Sequence, residues 1–347
     1  VGGGTPTALP RADLDMLLGE LAGLRAPGCE WTVEANPESL GREHLELFRR
    51  HGVNRLSLGV QSLVDSELLL LGRAHDAAGA REALVAGSEA GLSLSADLIA
   101  GLPSAGASGL SRSVAMLLDL GLRHISIYDL SVEEGTGLAG MIAAGLVRLP
   151  EPDAAFDEWE RARSLLEGAG LRRYEVSNFA RPGSECRHNL AYWELESYLG
   201  AGPGAVSTLV SEDGSGRSLR LEELRDVRRY LLPETQKAEE SEIAPLDSAF
   251  EMLMMGVRTI FGLSLDRFSW RFGLDLETLI AGTIAKWQDR IVPGIARPGD
   301  PGFGRRLALT PEGMNMLNGF LVDCLGELRL RFPAGEGIVS SGRGEPG

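Results

Sequence analysis

The chain has 347 residues, of which 44% are hydrophobic and 24% are charged, a composition that is ordinary for a globular protein. Its 34 basic and 49 acidic residues give a net charge of −15, and there is no basic tract, so the sequence excludes non-specific nucleic-acid binding as a function. No apolar run reaches the length of a membrane span, which predicts a cytoplasmic protein. Peripheral association with a membrane and formation of a homodimer stay open.

The three cysteines, Cys29, Cys186 and Cys324, are far apart in the chain. They form no Cys-x-x-Cys pair, which excludes a disulfide framework and, within this chain, an iron–sulfur cluster held by cysteines. Cys324 lies on the apolar stripe of a predicted helix, so we expect it to belong to the core.

Predicted strands and helices alternate along the first half of the chain. The predicted strands end at Val1 and cover residues 30–36, 55–60, 92–99 and 124–128. The predicted helices cover residues 11–24, 65–71, 80–90, 111–120 and 153–167, and a further one ends before Gly52. Asp65 is the expected N-cap of the 65–71 helix. This alternation predicts a parallel βα array, and a barrel or part-barrel is favoured over an open sheet.

The second half of the chain has weaker patterns. Residues 172–176 read as the last strand of the array, residues 184–198 have loop character, and residues 211–220 read as a polar loop. From Ser241 onwards the pattern is helical, and Thr310 followed by Pro311 is typical of a helix N-cap with proline in the first turn. The last residues, 333–347, are expected to be disordered.

Residues 1–6, with the sequence VGGGTP, form a glycine turn directly after the first predicted strand. Glycines accept positive φ angles and leave bare N–H groups that a ligand can approach closely. A simple turn is the alternative reading of the same letters. At the carboxyl edge of a parallel sheet, however, such a turn lies where these folds bind ligands.

Four polar residues, Glu34, Ser57, Gln61 and Asp97, lie within or just after apolar strands. A buried polar group without a partner costs roughly 1–3 kcal/mol, so each of them needs a hydrogen-bond partner. Any one of them could cap a neighbouring helix or loop. Together, at one end of a parallel array and beside a glycine turn, they predict a ligand site.

Several segments together resemble one family. GGGTP, TVEANPESL, GVNRLSLGVQSL, GRAHD, DLIAGLP and HISIYDL are similar to the radical S-adenosylmethionine (SAM) family of oxygen-independent coproporphyrinogen III oxidases. YEVSNFARPG and CRHNLAYW resemble most closely the HemW-type haem chaperones within that family. The resemblance implies a partial (β/α)6 barrel over residues 1–180 and a mostly helical C-terminal domain over residues 241–332. Residues 181–240 would carry the His-Asn-x-x-Tyr-Trp segment and a connecting loop.

The resemblance also implies the residues of a SAM site. They are Gly3, Gly4, Thr5, Glu34, Gln61, Arg73 and Asp97. The glycine turn would hold the amino end of SAM, and the four longer side chains would contact the rest of the molecule. Their chemistry agrees, because a carboxylate accepts ribose hydroxyls while Gln and Arg suit polar and carboxylate groups.

A haem site is implied in the CRHNLAYW segment. His188 would ligate the haem iron, and Tyr192 and Trp193 would cover a porphyrin face. Arg187 could pair with a propionate, and Cys186 is the rival iron ligand because a thiolate also binds ferric haem. The alternative is a structural histidine in a loop anchored by Trp193.

The chain departs from the family in one respect. The Cys-x-x-x-Cys-x-x-Cys segment that holds a 4Fe–4S cluster in that family lies upstream of the glycine turn and is absent here. Because the chain begins with Val1 rather than Met, we expect its beginning to be missing, and the cluster is implied for the complete protein only. A cluster-free homologue is the alternative.

Two functions follow from the resemblance. The first is a haem chaperone that binds haem and SAM and delivers haem to respiratory haemoproteins. The alternative is an oxygen-independent coproporphyrinogen III oxidase, which would decarboxylate its substrate to protoporphyrinogen IX by radical chemistry. A SAM- or haem-binding module without a cluster is a third reading if the chain is complete.

Overall fold

The computed structural model describes residues 1–103, 109–232, 238–295 and 304–331. The tail predicted to be disordered, residues 333–347, lies outside these ranges. The chain forms two compact units, Val1–Glu185 and Cys186–Gly347.

The first unit alternates strands with helices, as predicted. Its helices are α1 (Arg11–Ala22), α2 (Arg42–His51), α3 (Asp65–Leu70), α4 (Ala77–Glu89), α5 (Gly109–Asp119), α6 (Gly137–Ala143) and α7 (Pro152–Gly168). Its strands are β1 (Thr32–Ala35), β2 (Arg55–Gln61), β3 (Ser93–Ala100), β4 (His124–Asp129), β5 (Arg172–Arg173) and β6 (Asn178–Ala180).

These six strands form one sheet in the order β1-β2-β3-β4-β6-β5. Strands β1 to β4 are parallel, whereas β6 is antiparallel to both β4 and β5. Within the predicted strand 172–176, only Arg172 and Arg173 form a strand, β5, and the antiparallel β6 separates it from β4. The Arg173 guanidinium donates to the Val176 carbonyl at 2.9 Å and closes a tight turn that reverses the chain.

Val1 extends the sheet beyond β1. Its ammonium group donates to the carbonyl of Thr32 at 2.6 Å, and the Glu34 N–H donates to the Val1 carbonyl at 3.0 Å. These two bonds bracket Val33 in the pattern of a parallel ladder. The glycine turn thus follows a strand end, as the sequence predicts.

The end of α2 agrees with the sequence, whereas the start of α3 does not. Helix α2 ends at Gly52, which takes φ +83°, with Arg49, Arg50 and His51 in the last turn, as predicted. Asp65 is not the N-cap of α3, because Val64 occupies that position. The Asp65 carboxylate instead accepts from the Ala77 N–H at 2.8 Å, at the start of α4.

The two faces of the parallel sheet differ in chemistry because successive side chains of a strand point to opposite faces. One face is apolar and belongs to the hydrophobic core of the unit: Val33, Ala35, Leu56, Leu58, Val60, Ala96, Leu98, Ala100, Ile125 and Ile127. The alternate residues form a polar face: Thr32, Glu34, Arg55, Ser57, Ser95, Asp97, His124 and Ser126. The candidate site lies on this polar face.

The second unit combines short helices with two three-stranded sheets. Its helices are α8 (Arg187–Trp193), α9 (Val227–Tyr230), α10 (Pro245–Gly256), α11 (Leu265–Phe272), α12 (Leu276–Leu279), α13 (Ala281–Lys286), α14 (Pro311–Asn315) and α15 (Leu317–Arg331). Strands β7 (Val206–Val210), β8 (Ser218–Glu223) and β9 (Ala238–Ile243) form one sheet, and β10 (Leu263–Ser264), β11 (Ile291–Pro293) and β12 (Arg306–Leu309) form the other.

The loop prediction for residues 184–198 is wrong where α8 forms. The loop predicted over residues 211–220 is present up to Arg217, and Ser218 then begins β8, which pairs antiparallel with β7 and β9. The predictions around α14 and α15 are confirmed. The Thr310 hydroxyl accepts from the Gly313 N–H at 3.1 Å, and Cys324 is fully buried. Burial raises the pKa of the Cys324 thiol to about 12, which is the behaviour of a core cysteine.

Candidate functional site

The glycine turn lies against the end of β1. A side chain on Gly2 would collide with the Glu34 carboxylate, whereas the space beside Gly3 and Gly4 is open. Gly3 takes φ +84°, and the Thr5 hydroxyl accepts from the Asn36 amide at 3.0 Å. The turn therefore presents bare backbone next to an exposed carboxylate, which suits close approach by a ligand.

Gln61 ends β2 in a strained conformation. Its φ is +64°, which is rare for a residue other than glycine, and the pairing of β2 with β3 shifts register between Leu58 and Gln61. A Cβ on Gly59 would lie 2.8 Å from Asn36 Oδ1 and 2.9 Å from Gln61 Nε2. Both amide side chains therefore cross over Gly59. Strain of this kind is concentrated at functional sites.

Asp97 lies in the middle of the polar face. The Ser57 hydroxyl donates to Asp97 Oδ2 at 3.3 Å, and Ser126 on β4 makes a second hydrogen bond to the same carboxylate. Burial raises the pKa of Asp97 to about 6, although both hydrogen bonds act in the opposite direction. Ser126 was not predicted as a site residue, although the alternation of polar and apolar residues in HISIYD marks its position.

Arg73 follows α3 and is half-buried. Within the described residues its side chain makes no ion pair or hydrogen bond. The neighbouring His75 holds this segment in place, because its ring nitrogens lie 2.8 Å from Glu38 Oε2 and 3.2 Å from the Val60 carbonyl. The structure thus brings the segment to the end of β2.

Two residues of the polar face, Ser95 and His124, form a hydrogen-bonded chain with Tyr174. His124 lies 2.7 Å from the Ser95 hydroxyl and 2.9 Å from the Tyr174 hydroxyl, and all three residues are buried. Burial, together with the Arg55 charge, holds the pKa of His124 well below its usual range. His124 is thus a neutral structural histidine.

Glu175 is a buried acid that the sequence did not mark. It is 1% exposed and lies in the turn between β5 and β6, where it accepts hydrogen bonds from the Ser177 N–H at 3.1 Å and from Asn178. Burial raises the pKa of Glu175 to about 7, while these hydrogen bonds and the Arg173 charge oppose the shift. The folded protein thus binds a proton here more tightly than the unfolded chain does.

We expect Glu175→Gln to stabilise the protein at pH 8 by on the order of 2–3 kcal/mol and to change little near pH 4. The folded pKa lies above the ordinary value of 4.5, so the wild type loses stability as the pH rises from about 4.5 to about 7. Chemical unfolding at several pH values tests this, with the exposed Glu82→Gln as control. Equal destabilisation of the Glu175 variant at every pH would contradict it.

Helix α8 places two of the three predicted haem residues together. His188 and Tyr192 are one turn apart, with ring centroids 4.8 Å apart and an edge-to-face angle of 81°. Tyr198 continues this aromatic group, since its ring centroid lies 4.5 Å from that of Tyr192. His188 is exposed, whereas Tyr192 is half-buried.

Trp193 does not share this face. The Arg258 guanidinium lies over its ring, 5.7 Å from the centroid, and Trp193 Nε1 is buried without a partner among the described residues. Cys186 is the N-cap residue of α8 and is 7% exposed, and its thiol lies 3.4 Å from Asn189 Oδ1. The rival ligand is therefore much less accessible than His188.

A charged cluster holds the C-terminal end of α8. Glu194 pairs with the buried Arg306, and its second oxygen lies 3.8 Å from Arg267. Arg267 also donates to the Glu194 carbonyl at 2.7 Å. The next residue, Leu195, takes φ +51°, a conformation that costs energy for a branched side chain. The cluster thus fixes a strained turn directly after the aromatic face.

The described residues contain no group of three or more His, Cys, Asp or Glu side chains arranged to hold a metal ion. Cys29 belongs to the first unit and the buried Cys186 and Cys324 to the second, so these cysteines do not fit a four-iron cluster. Over the same residues, no helix combines the length and the apolar character that crossing a membrane requires.

Each of the two units matches the model of a known family. The Radical SAM superfamily matches residues 1–107, and the HemN C-terminal domain matches residues 243–315. Heme chaperone HemW of Bacillus subtilis (strain 168) is 32% identical over 292 residues, which cover 82% of this chain and 75% of that protein. The chain belongs to the radical SAM superfamily and, within it, to the HemW family.

A mitochondrial relative and a solved structure are also similar to the chain. Radical S-adenosyl methionine domain-containing protein 1 of Bos taurus is 37% identical to this HemW-family chain over 274 residues, and the match spans 61% of the bovine protein. The structure of coproporphyrinogen III oxidase (HemN) from Escherichia coli covers 93% of the chain and 76% of its own length, with a TM-score of 0.72 and 19% identity. This likeness shows the radical SAM fold.

Proposed function

We propose that the chain is a HemW-type haem chaperone, which binds haem on α8 and SAM on the polar face of the first unit and delivers haem to respiratory haemoproteins. The observation that carries the proposal is the exposed His188 beside Tyr192 in a member of the HemW family. The oxidase alternative rests on the fold, which both activities share.

The polar face fits SAM. The open backbone at Gly3 and Gly4 suits the amino end of the ligand, while Glu34 and Asp97 are acceptors for ammonium and hydroxyl donors. Gln61 lies between them in chain order, at a strained position that a purely structural role does not require. Arg73 is the one cation among the predicted SAM residues, and it would bind the SAM carboxylate. When bound with a cluster, SAM supplies radical chemistry, and this chain's own residues bind and orient it.

The α8 face fits haem. A neutral imidazole is a common iron ligand, and an exposed one on a short helix can reach the iron without disturbing a strand. Burial and the neighbouring Tyr198 raise the pKa of the Tyr192 phenol, so it stays protonated and leaves iron ligation to His188. The Tyr192 ring can contact the porphyrin edge, and the exposed Arg187 can pair with a propionate.

We expect His188→Ala to weaken haem binding at least about tenfold and to shift the Soret band, because the axial ligand sets the electronic environment of the iron. Cys186→Ser is the matched control, since it lies two residues away and is buried. Haem titration followed by absorbance gives both readouts. If the His188 variant keeps the wild-type spectrum and affinity while the Cys186 variant loses them, the iron ligand is Cys186. If neither change matters, haem binds elsewhere and the oxidase alternative gains support.

A further inference from the structure

The polar face of the sheet continues past Asp97 onto strands that the predicted site does not include. Asp97 pairs in register with Ser126, and Ser126 pairs with Asn178 on β6. The flanking pair, Ile125 and Phe179, belongs to the apolar core behind the sheet. Because side chains alternate between faces, Asp97, Ser126 and Asn178 form one polar row across three neighbouring strands.

The orientation of the Asn178 amide follows from its neighbour. Its side chain hydrogen-bonds to the Glu175 carboxylate, which accepts, so the amide nitrogen is the donor in that contact. In the opposite orientation the amide oxygen would face the carboxylate whenever Glu175 is ionised, above its pKa of about 7. The Asn178 carbonyl oxygen, Oδ1, is therefore the free end of the amide.

Among the described residues, that oxygen has no hydrogen-bond partner. Asn178 is 3% exposed, and its Oδ1 itself is buried. Buried side-chain acceptors are normally paired, so an unpaired one on the polar face of the sheet calls for a donor. The Ser95–His124–Tyr174 chain on the same face shows the contrast, because each of its side chains has a partner.

We propose that Asn178 is a further ligand-binding residue, whose side-chain carbonyl accepts a hydrogen bond from an amino or hydroxyl group of the nucleoside held against Asp97. This inference rests on the proposed SAM site and extends it across β4 to β6. The row presents two acceptors, Asp97 and Asn178, on either side of Ser126, and a donor-rich nucleoside matches that arrangement. Glu175 acts on the amide as a positioning residue.

Calorimetry with S-adenosylhomocysteine on the whole chain tests the proposal, since this ligand needs no cluster. We expect Asn178→Ala to weaken binding about three- to tenfold, the effect of one hydrogen bond. Ser95→Ala is the matched control, because it removes a polar group from the Ser95–His124–Tyr174 chain and should leave the affinity unchanged. If Asn178→Ala does not fold, Asn178→Ser is measured in its place.

Ligand analogues separate direct contact from an indirect effect. The loss in the Asn178 variant should vanish with the analogue that lacks the contacted donor, whether the inosine form without the purine amino group or a form without the 2′- or 3′-hydroxyl. A loss that persists with all three analogues, or an unchanged affinity for the parent ligand, overturns the proposal. Asp97→Ala separates a failure of this inference from a failure of the proposed SAM site. If Asp97→Ala weakens binding while Asn178→Ala does not, this inference alone fails. If neither matters, the SAM site itself is misplaced.

Discussion

Replacing Asp97 and Gln61 together with alanine is expected to weaken S-adenosylhomocysteine binding by at least about tenfold, since each change leaves polar atoms of the ligand unpaired at roughly 1–3 kcal/mol. Asp97 is the acceptor at the centre of the polar face, where two serine hydroxyls orient its carboxylate. Gln61 is held over Gly59 at a positive φ. Calorimetry on the single and double variants measures the loss, with the exposed Asp119→Ala as control.

The stability of the Asp97 variants separates a binding role from a structural one. Because burial raises the pKa of Asp97 to about 6, the wild type loses stability as the pH rises from about 4 to about 6. Asp97→Asn should therefore be at least as stable as the wild type at pH 7.5 while binding the ligand more weakly, which is the pattern of a residue kept for function. Lower stability with unchanged affinity would mean that the carboxylate serves the fold.

The parallel array could be predicted because its signals are local and repeated. Each parallel strand is a short apolar run, and each long helix shows apolar periodicity and a stop signal such as Gly52. The polar residues of the site were visible for the same reason: Glu34, Ser57 and Asp97 interrupt apolar strands at alternate positions. The fold then brings Ser57 and Asp97 into contact.

What the sequence could not show depends on contacts between distant residues. Asn178 lies on a three-residue strand whose direction depends on the turn that Arg173 closes. Helix α8 has seven residues and buries only Leu190, so it has no periodic signal to detect. The positive φ of Gln61 arises from a register shift between two strands, which no local pattern records.

Trp193 illustrates a different limit. Its spacing from His188 and Tyr192 suggests a shared aromatic surface, but five residues along a helix place it on another side. Its ring packs against Arg258, outside the His188–Tyr192 contact. Reading a motif as a unit thus overstates how many of its residues can act on one ligand.

The charged cluster behind α8 carries the largest expected effect on stability. We expect Glu194→Ala to lower the free energy of unfolding by about 3–5 kcal/mol, because it removes the acid from a buried ion pair with Arg306. The Arg306 side chain is 3% exposed, and it also donates to the carbonyls of Phe261 and Gly262, at 2.7 and 2.8 Å. Denaturant unfolding measures the loss, and the exposed Glu212→Ala is the control.

A double replacement tests whether the loss of stability comes from breaking the buried ion pair. Removing one partner of a buried ion pair is costly, whereas replacing both with apolar residues of similar size is often close to neutral. Glu194→Met combined with Arg306→Met should therefore recover much of the stability that Glu194→Ala loses. If the double variant is as unstable as Glu194→Ala, the ion pair alone does not account for the stability, because the double variant also loses the hydrogen bonds of Arg306 to the carbonyls of Phe261 and Gly262. Haem titration of the double variant, if it is stable, then shows whether haem binding on α8 requires the ion pair or only a well-packed turn after the helix.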